Sequence, residues 1–171
     1  MNKKIEKKLF NLFTGEITAT ILFAIVYVLY IETMEWAPEY LIVNSSIYSF
    51  ILLEFILLQG SIYWFLKWQQ VRRKDFTNLK KGYLVLYKWC RNINLFLIAI
   101  GFMICVLLFI NGAVNRYLYL GIFAFAIIEH INYYHIRLSY MSYQEIKEFI
   151  RQKGFRWSKL AKELKDLKNK E

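Results

Sequence analysis

Between Lys8 and Lys67 this chain has no lysine or arginine, and from Asn92 to Ile136 its only one is Arg116. Long uncharged apolar runs set between dense basic ones are the pattern a bilayer imposes, because hydrocarbon excludes charged side chains and the flanking loops collect them. Composition agrees: 57% of the 171 residues are hydrophobic and 19% aromatic, above the roughly 45–50% apolar content of soluble domains. The chain reads as an integral membrane protein.

Four segments are close to the roughly 20 residues that cross a bilayer: 12–33, 40–68, 94–110 and 117–136. Each is expected to be a helix, since backbone groups in hydrocarbon must be satisfied within the segment and runs such as Leu95 to Ile110 lack the alternation of a barrel strand. The expected fold class is therefore all-α: a transmembrane bundle of four helices over residues 1–140, connected up and down, with a basic amphipathic helical tail over 141–171. Of 23 Lys and Arg, four lie in 1–15, eight in 67–92 and ten in 137–171. The positive-inside bias then places both termini in the cytoplasm of a plasma (inner) membrane. The Lys, Ile and Asn usage suggests a bacterial one. The same distribution argues against nucleic acid as the use of the +10 net charge, because the cations mark loops rather than one phosphate-binding face.

The start imitates a signal peptide, but the apolar run from Ile17 to Ile31 is long and is followed by Glu32, Glu35 and Glu39 rather than a small-residue cleavage site. A retained first helix is expected. Cys90 and Cys105 have neither metal-ligand nor C-x-x-C spacing and read as free thiols. Trp36 and Tyr40 on the outer side, with Trp64, Trp68, Tyr87 and Trp89 on the inner, read as interfacial anchors.

The connection from Gln69 to Arg91 sets Arg72, Arg73, Lys74, Lys80 and Lys81 beside Tyr83 to Tyr87, which suits an interfacial helix on anionic lipid. The tail opens on Ser142 and Glu145 at capping-box spacing, with Ile146, Phe149 and Ile150 on one face. After Gly154 and Ser158, Leu160, Ala161, Leu164 and Leu167 return at helical spacing. Such a tail lies on the membrane, docks a partner helix or simply stays solvated.

The polar residues within the apolar runs carry whatever chemistry there is: Glu16, Glu54, Glu129 and His130, with Asn132 one turn beyond Glu129. At about 1.5 Å per residue, Glu54 lies about 21 Å below Tyr40, Glu129 about 18 Å below Tyr117 and Glu16 about 22 Å below Ile31. The three carboxylates are thus expected at similar depth, where they can meet. Ser61 shares the Glu54 face, and Gly101 with Cys105 forms a small-x-x-x-small pair that admits a neighbouring helix. Arg137 marks the inner end of the fourth span.

Clustered carboxylates with His130 would relay protons or bind a cation, a pocket beside Arg137 and the basic connection would hold a lipid headgroup, and polar side chains also simply join helices. No Glu-x-x-His pair suggests a metal, and no nucleophile has a recognisable base, so neither cofactor nor catalysis is expected. The favoured expectation is a non-enzymatic interaction protein, an accessory subunit or immunity-type protector of a membrane complex, whose partner is another membrane protein or a second copy. The alternative is a small transporter or channel subunit handling protons, cations or lipid through the intramembrane cluster.

Overall fold

A computed structural model describes residues 2–138 and 156–169. Among these the protein is helical: α1 (Asn2–Thr33), the short α2 (Ala37–Leu41), α3 (Asn44–Arg72), α4 (Lys81–Ile110), α5 (Arg116–Tyr134) and α6 (Lys159–Lys168). Three of them, α1, α3 and α4, are long and apolar enough to cross a membrane. The 19-residue α5 is shorter and ends on Glu129, His130, Asn132, Tyr133 and Tyr134, which dilute its apolar run.

Helices α1 and α3 run antiparallel, whereas α3 and α5 run parallel, since Asn115 meets Ser46 at their starts and Tyr133 meets Gly60 farther along. Phe10 and Phe13 at the start of α1 meet Trp68 and Phe65 at the end of α3, while Tyr27 near the end of α1 stacks on Phe50 of α3 at 3.9 Å. Helix α3 is central: 50% of its most apolar stretch is buried, against 11% for α4 and 0% for α1. Its Leu52, Leu53, Ile56 and Leu57 join Phe123 and Ala126 of α5 and Leu84 of α4 in one core. The outward faces of α1 and α4, such as Leu22, Val28, Phe102 and Ile110, are exposed, as helices facing lipid require.

Helix packing depends on small residues where predicted and also elsewhere. A Cβ on Gly101 would lie 2.3 Å from the Phe123 ring, and the Gly101 carbonyl accepts from the Tyr119 hydroxyl at 2.7 Å, so α4 and α5 touch through backbone. Gly60 does the same for α3 and α5, its absent Cβ replaced by the Tyr133 ring. Cys105 is half-buried and packs against the core, and Ser61 is buried with its hydroxyl turned back to Leu57 O at 3.1 Å.

Two helix boundaries and one anchor residue differ from the sequence expectation. The segment 40–68 is not one helix: Val43 is extended, dividing α2 from α3, and the Tyr40 carbonyl takes the Ser46 hydroxyl at 2.6 Å instead of a helical N–H. No separate interfacial helix follows Arg73. Tyr83 to Tyr87 form the first turns of α4, which runs unbroken from Lys81, because Leu84 and Tyr87 are buried against the core. Tyr87 is accordingly a packed residue that donates to Gln59 O at 3.2 Å, not an interfacial anchor.

Helices α3 and α4 end alike, each with a residue of positive φ whose N–H and successor's N–H close on the last turn. After α4 that residue is Gly112, at φ 61, and after α3 it is Lys74, at φ 62.

The second part of the tail forms the predicted amphipathic helix, but it docks on its own chain. Leu160, Ala161, Leu164 and Leu167 of α6 are buried against the bundle. Ser158 caps α6 by accepting from Ala161 N at 3.0 Å, and its hydroxyl donates to Tyr133 O. Residues 135–137 pair antiparallel with 156–158 through Arg137 N to Arg156 O at 2.8 Å and Ser158 N to His135 O at 3.1 Å. The capping box at Ser142 and Glu145 and the face carrying Ile146, Phe149 and Ile150 lie outside the described residues.

Candidate functional site

The five polar residues expected within the membrane do not form one cluster. Glu129 and Tyr133, four apart on α5, share a face toward α1, where the Tyr133 hydroxyl donates to Glu16 Oε2 and Glu129 lies within electrostatic reach of Glu16. Asn132 donates to Glu129 Oε2 at 3.2 Å and accepts from Leu138 N at 2.9 Å, tying the carboxylate to the end of the helix. Glu16, Glu129 and Asn132 thus come together around Tyr133.

Glu54 and His130 stand apart from that group. Glu54 is half-buried on α3, with Oε1 buried and without a hydrogen-bond partner. The expected meeting of three carboxylates therefore reduces to Glu16 and Glu129, which share Tyr133 as a neighbour. His130 follows Glu129 by one residue, about 100° around the helix. It is buried, stacks on Tyr134 with ring centroids 5.0 Å apart, meets His135 edge-on at 5.6 Å, and leaves both ring nitrogens without a partner.

Beside His130 is a network that the sequence reading did not single out. Gln59 of α3 and Asn94 of α4 exchange two side-chain hydrogen bonds, of 3.1 and 2.8 Å, and the Tyr134 hydroxyl donates to Gln59 Oε1 at 2.6 Å. With Tyr87 on the Gln59 carbonyl, three helices are joined by neutral groups that satisfy one another in the interior, the arrangement hydrocarbon rewards. The signal was present: Gln59 is an uncharged amide inside an apolar run and has no local partner.

A second omission lies at the basic end, where α6 meets the connection between α3 and α4. Lys67 and Glu163 form an ion pair of 2.8 Å with side chains only 3% and 4% exposed. Lys67 Nζ also donates to Thr77 O at 2.9 Å and Gln70 Oε1 at 3.1 Å, while Glu163 Oε2 accepts from Leu79 N at 3.3 Å. Asn78 donates to Asp166 Oδ2 at 2.9 Å. In the connection itself Asp75 accepts from Gln70 and from the Thr77 amide and hydroxyl, and these donors lower its carboxyl to about 2. In the sequence Lys67 shows only as the end of an uncharged run and Glu163 as one residue of the basic tail.

The basic residues divide as well. Arg72, Arg73, Lys74, Lys80 and Lys81 are exposed around the connection, with the Arg72 guanidinium 5.6 Å from the Trp68 ring. Arg137 belongs elsewhere, on the wall of a cavity of about 350 Å³ between α1, α5 and α6 that Glu16 and Tyr133 also line. Among the described residues no group of three His, Cys, Asp or Glu gathers as metal ligands would.

At the other end Asn115 donates to Ser45 Oγ and Ser46 Oγ, both at 2.8 Å, so these serines lock the α4–α5 turn onto α3. Beneath them a second cavity of about 300 Å³ lies between α1, α3 and α5, walled by Phe23, Tyr27, Phe50 and Phe125 and almost wholly apolar. No family model, curated protein or solved structure matches this chain.

Proposed function

We propose that the protein crosses the membrane four times with both ends in the cytoplasm and works by binding rather than by catalysis, as an accessory or protector subunit of a membrane complex. The observation that carries this is the Lys67–Glu163 ion pair. It holds α6 against the connection between α3 and α4, so the chain that leaves over α4 has to return to the same side. Among the described residues α5 is the only helix between α4 and α6, which supports a fourth crossing despite its polar end. The excess of Lys and Arg at this end supports a cytoplasmic side.

The docked tail supports a binding role. A chain whose tail only oriented it would have no need of a buried ion pair, which is expensive to desolvate and is best understood as fixing one geometry. The result is a prearranged cytoplasmic cap flanked by the exposed Arg72, Arg73, Lys74, Lys80 and Lys81. The test is purification of the tagged full chain from its own membrane in mild detergent after brief cross-linking. A stoichiometric second membrane protein is expected, lost in Lys67→Met; recovery of the chain alone, as a monomer, would sink the reading.

A second reading, movement of protons or a cation, is favoured by the junction of Glu16, Tyr133, Glu129 and Asn132. It requires that Glu16→Gln and Glu129→Gln abolish flux in proteoliposomes. Unchanged flux would remove it.

A further inference from the structure

We propose that the cavity between α1, α5 and α6 is a binding site for an anionic phosphate headgroup. Five cations line it: Lys8 from α1, Arg137 after α5, and Arg156, Lys159 and Lys162 at and within α6. Among the described residues the lining also includes the carboxylate of Glu16, to which Tyr133 donates. Four of these cations lie in the C-terminal segment and the fifth near the N-terminus, so only the fold gathers them.

Beside Asn132 and Ser158, most of the remaining lining is apolar. Ile5, Leu9 and Leu12 of α1, Trp64 of α3 and Leu160 of α6 bring hydrocarbon-like surface beside the cations. That suits a charged head with an apolar continuation. The volume, about 350 Å³, lies at the low end for ligand pockets and matches a headgroup better than a whole lipid. Along α1 the lining runs from Ile5 to Glu16, about 16 Å of helix, and straddles Leu12, where the apolar span begins. The depth is therefore that of lipid headgroups. Arg137 and Arg156 supply planar forks suited to phosphate oxygens, and the lysines add point charges.

Two sources share this chemistry, an anionic phospholipid and a soluble phosphate. The site does not depend on the partner proposed above and stands if that partner is never found. The experiment is native mass spectrometry of the full chain in mild detergent, with phosphatidylglycerol, phosphatidylcholine or inorganic phosphate added. Phosphatidylglycerol is expected to remain bound where phosphatidylcholine dissociates, and Lys159→Gln with Lys162→Gln is expected to weaken it roughly tenfold. Both lysines are exposed, so the helix should survive the change. Arg72→Gln with Lys81→Gln removes the same charge from the other basic segment and is expected to leave binding unaltered. If inorganic phosphate binds alone and displaces the lipid, the site stands and its ligand is the soluble one. Equal retention of phosphatidylcholine, or equal loss in the two double variants, would overturn it as diffuse charge attraction. A photoreactive phosphatidylglycerol on the unaltered protein gives an independent check, since the cross-link must fall on peptides carrying Lys8 or Trp157 to Lys162 rather than on the 73–80 connection.

Discussion

At the scale of single residues, two glycines in α1 and α3 make opposite demands. A Cβ on Gly60 would fall 2.2 Å from Tyr133 Cζ, within a ring that is itself buried, whereas nothing lies within 4 Å of one on Gly15. Gly60→Ala is therefore expected to cost about 1–3 kcal/mol by overpacking and to disturb the Tyr133–Glu16 bond. Gly15→Ala should be neutral or stabilise by up to about 1 kcal/mol through helix propensity. Thermal unfolding of the two variants in one detergent checks both. Asp75 allows a pH test, because its folded carboxyl sits at about 2, below the ordinary value of 3.8. A lowered folded value means that its contribution is full above about pH 4 and is lost as pH falls through 2. The Thr77 amide resonance should accordingly titrate with a midpoint near 2; a midpoint near 4 would show that the Asp75 turn does not form.

At the scale of elements, α6 depends on a pair of charges that neither helix could bury alone. Lys67→Met leaves Glu163 unpaired in a buried site and is expected to destabilise the docked tail by about 3–5 kcal/mol, whereas Lys67→Met with Glu163→Leu should recover most of the loss. Limited trypsin digestion reads this directly, since α6 carries Lys159, Lys162 and Lys165. Rapid cleavage is expected in the single variant and slow cleavage in the parent and double variant. Equal protection in all three would mean that the apolar face of α6 suffices. That face, with Leu160, Ala161, Leu164 and Leu167, was legible from its period and from Ser158 as its cap. Its destination was not, because a 3.6-residue period records that a face is covered and not what covers it.

At the scale of the whole molecule, the path of the chain through the bilayer is open to chemical labelling. With Cys90 and Cys105 replaced by Ala, single cysteines at Glu35 and Ala113 should react with a membrane-impermeant maleimide applied outside. One at Thr77 should react only after permeabilisation, and so should one at Asn169, just past α6. Outside labelling at Asn169 would mean that α5 does not cross, and would also break the contact between α6 and Lys67.

What the sequence by itself determined is where hydrocarbon can and cannot be: the apolar runs, the basic segments between them and the amphipathic period of α6. Exclusion of charge from lipid acts residue by residue, so it can be read locally. The break at Val43, the continuity of α4 through Tyr83 to Tyr87 and every polar pairing between helices were decided by tertiary structure. Glu16 meets Tyr133 across 117 positions, and Gln59 meets Asn94 across 35. Those meetings depend on how each helix is rotated about its own axis. Gly60 against Tyr133 and Gly101 against Phe123 hold α5 in close contact with α3 and α4, and in that packing Glu16 and Glu129 come together around Tyr133 while Glu54 stands apart.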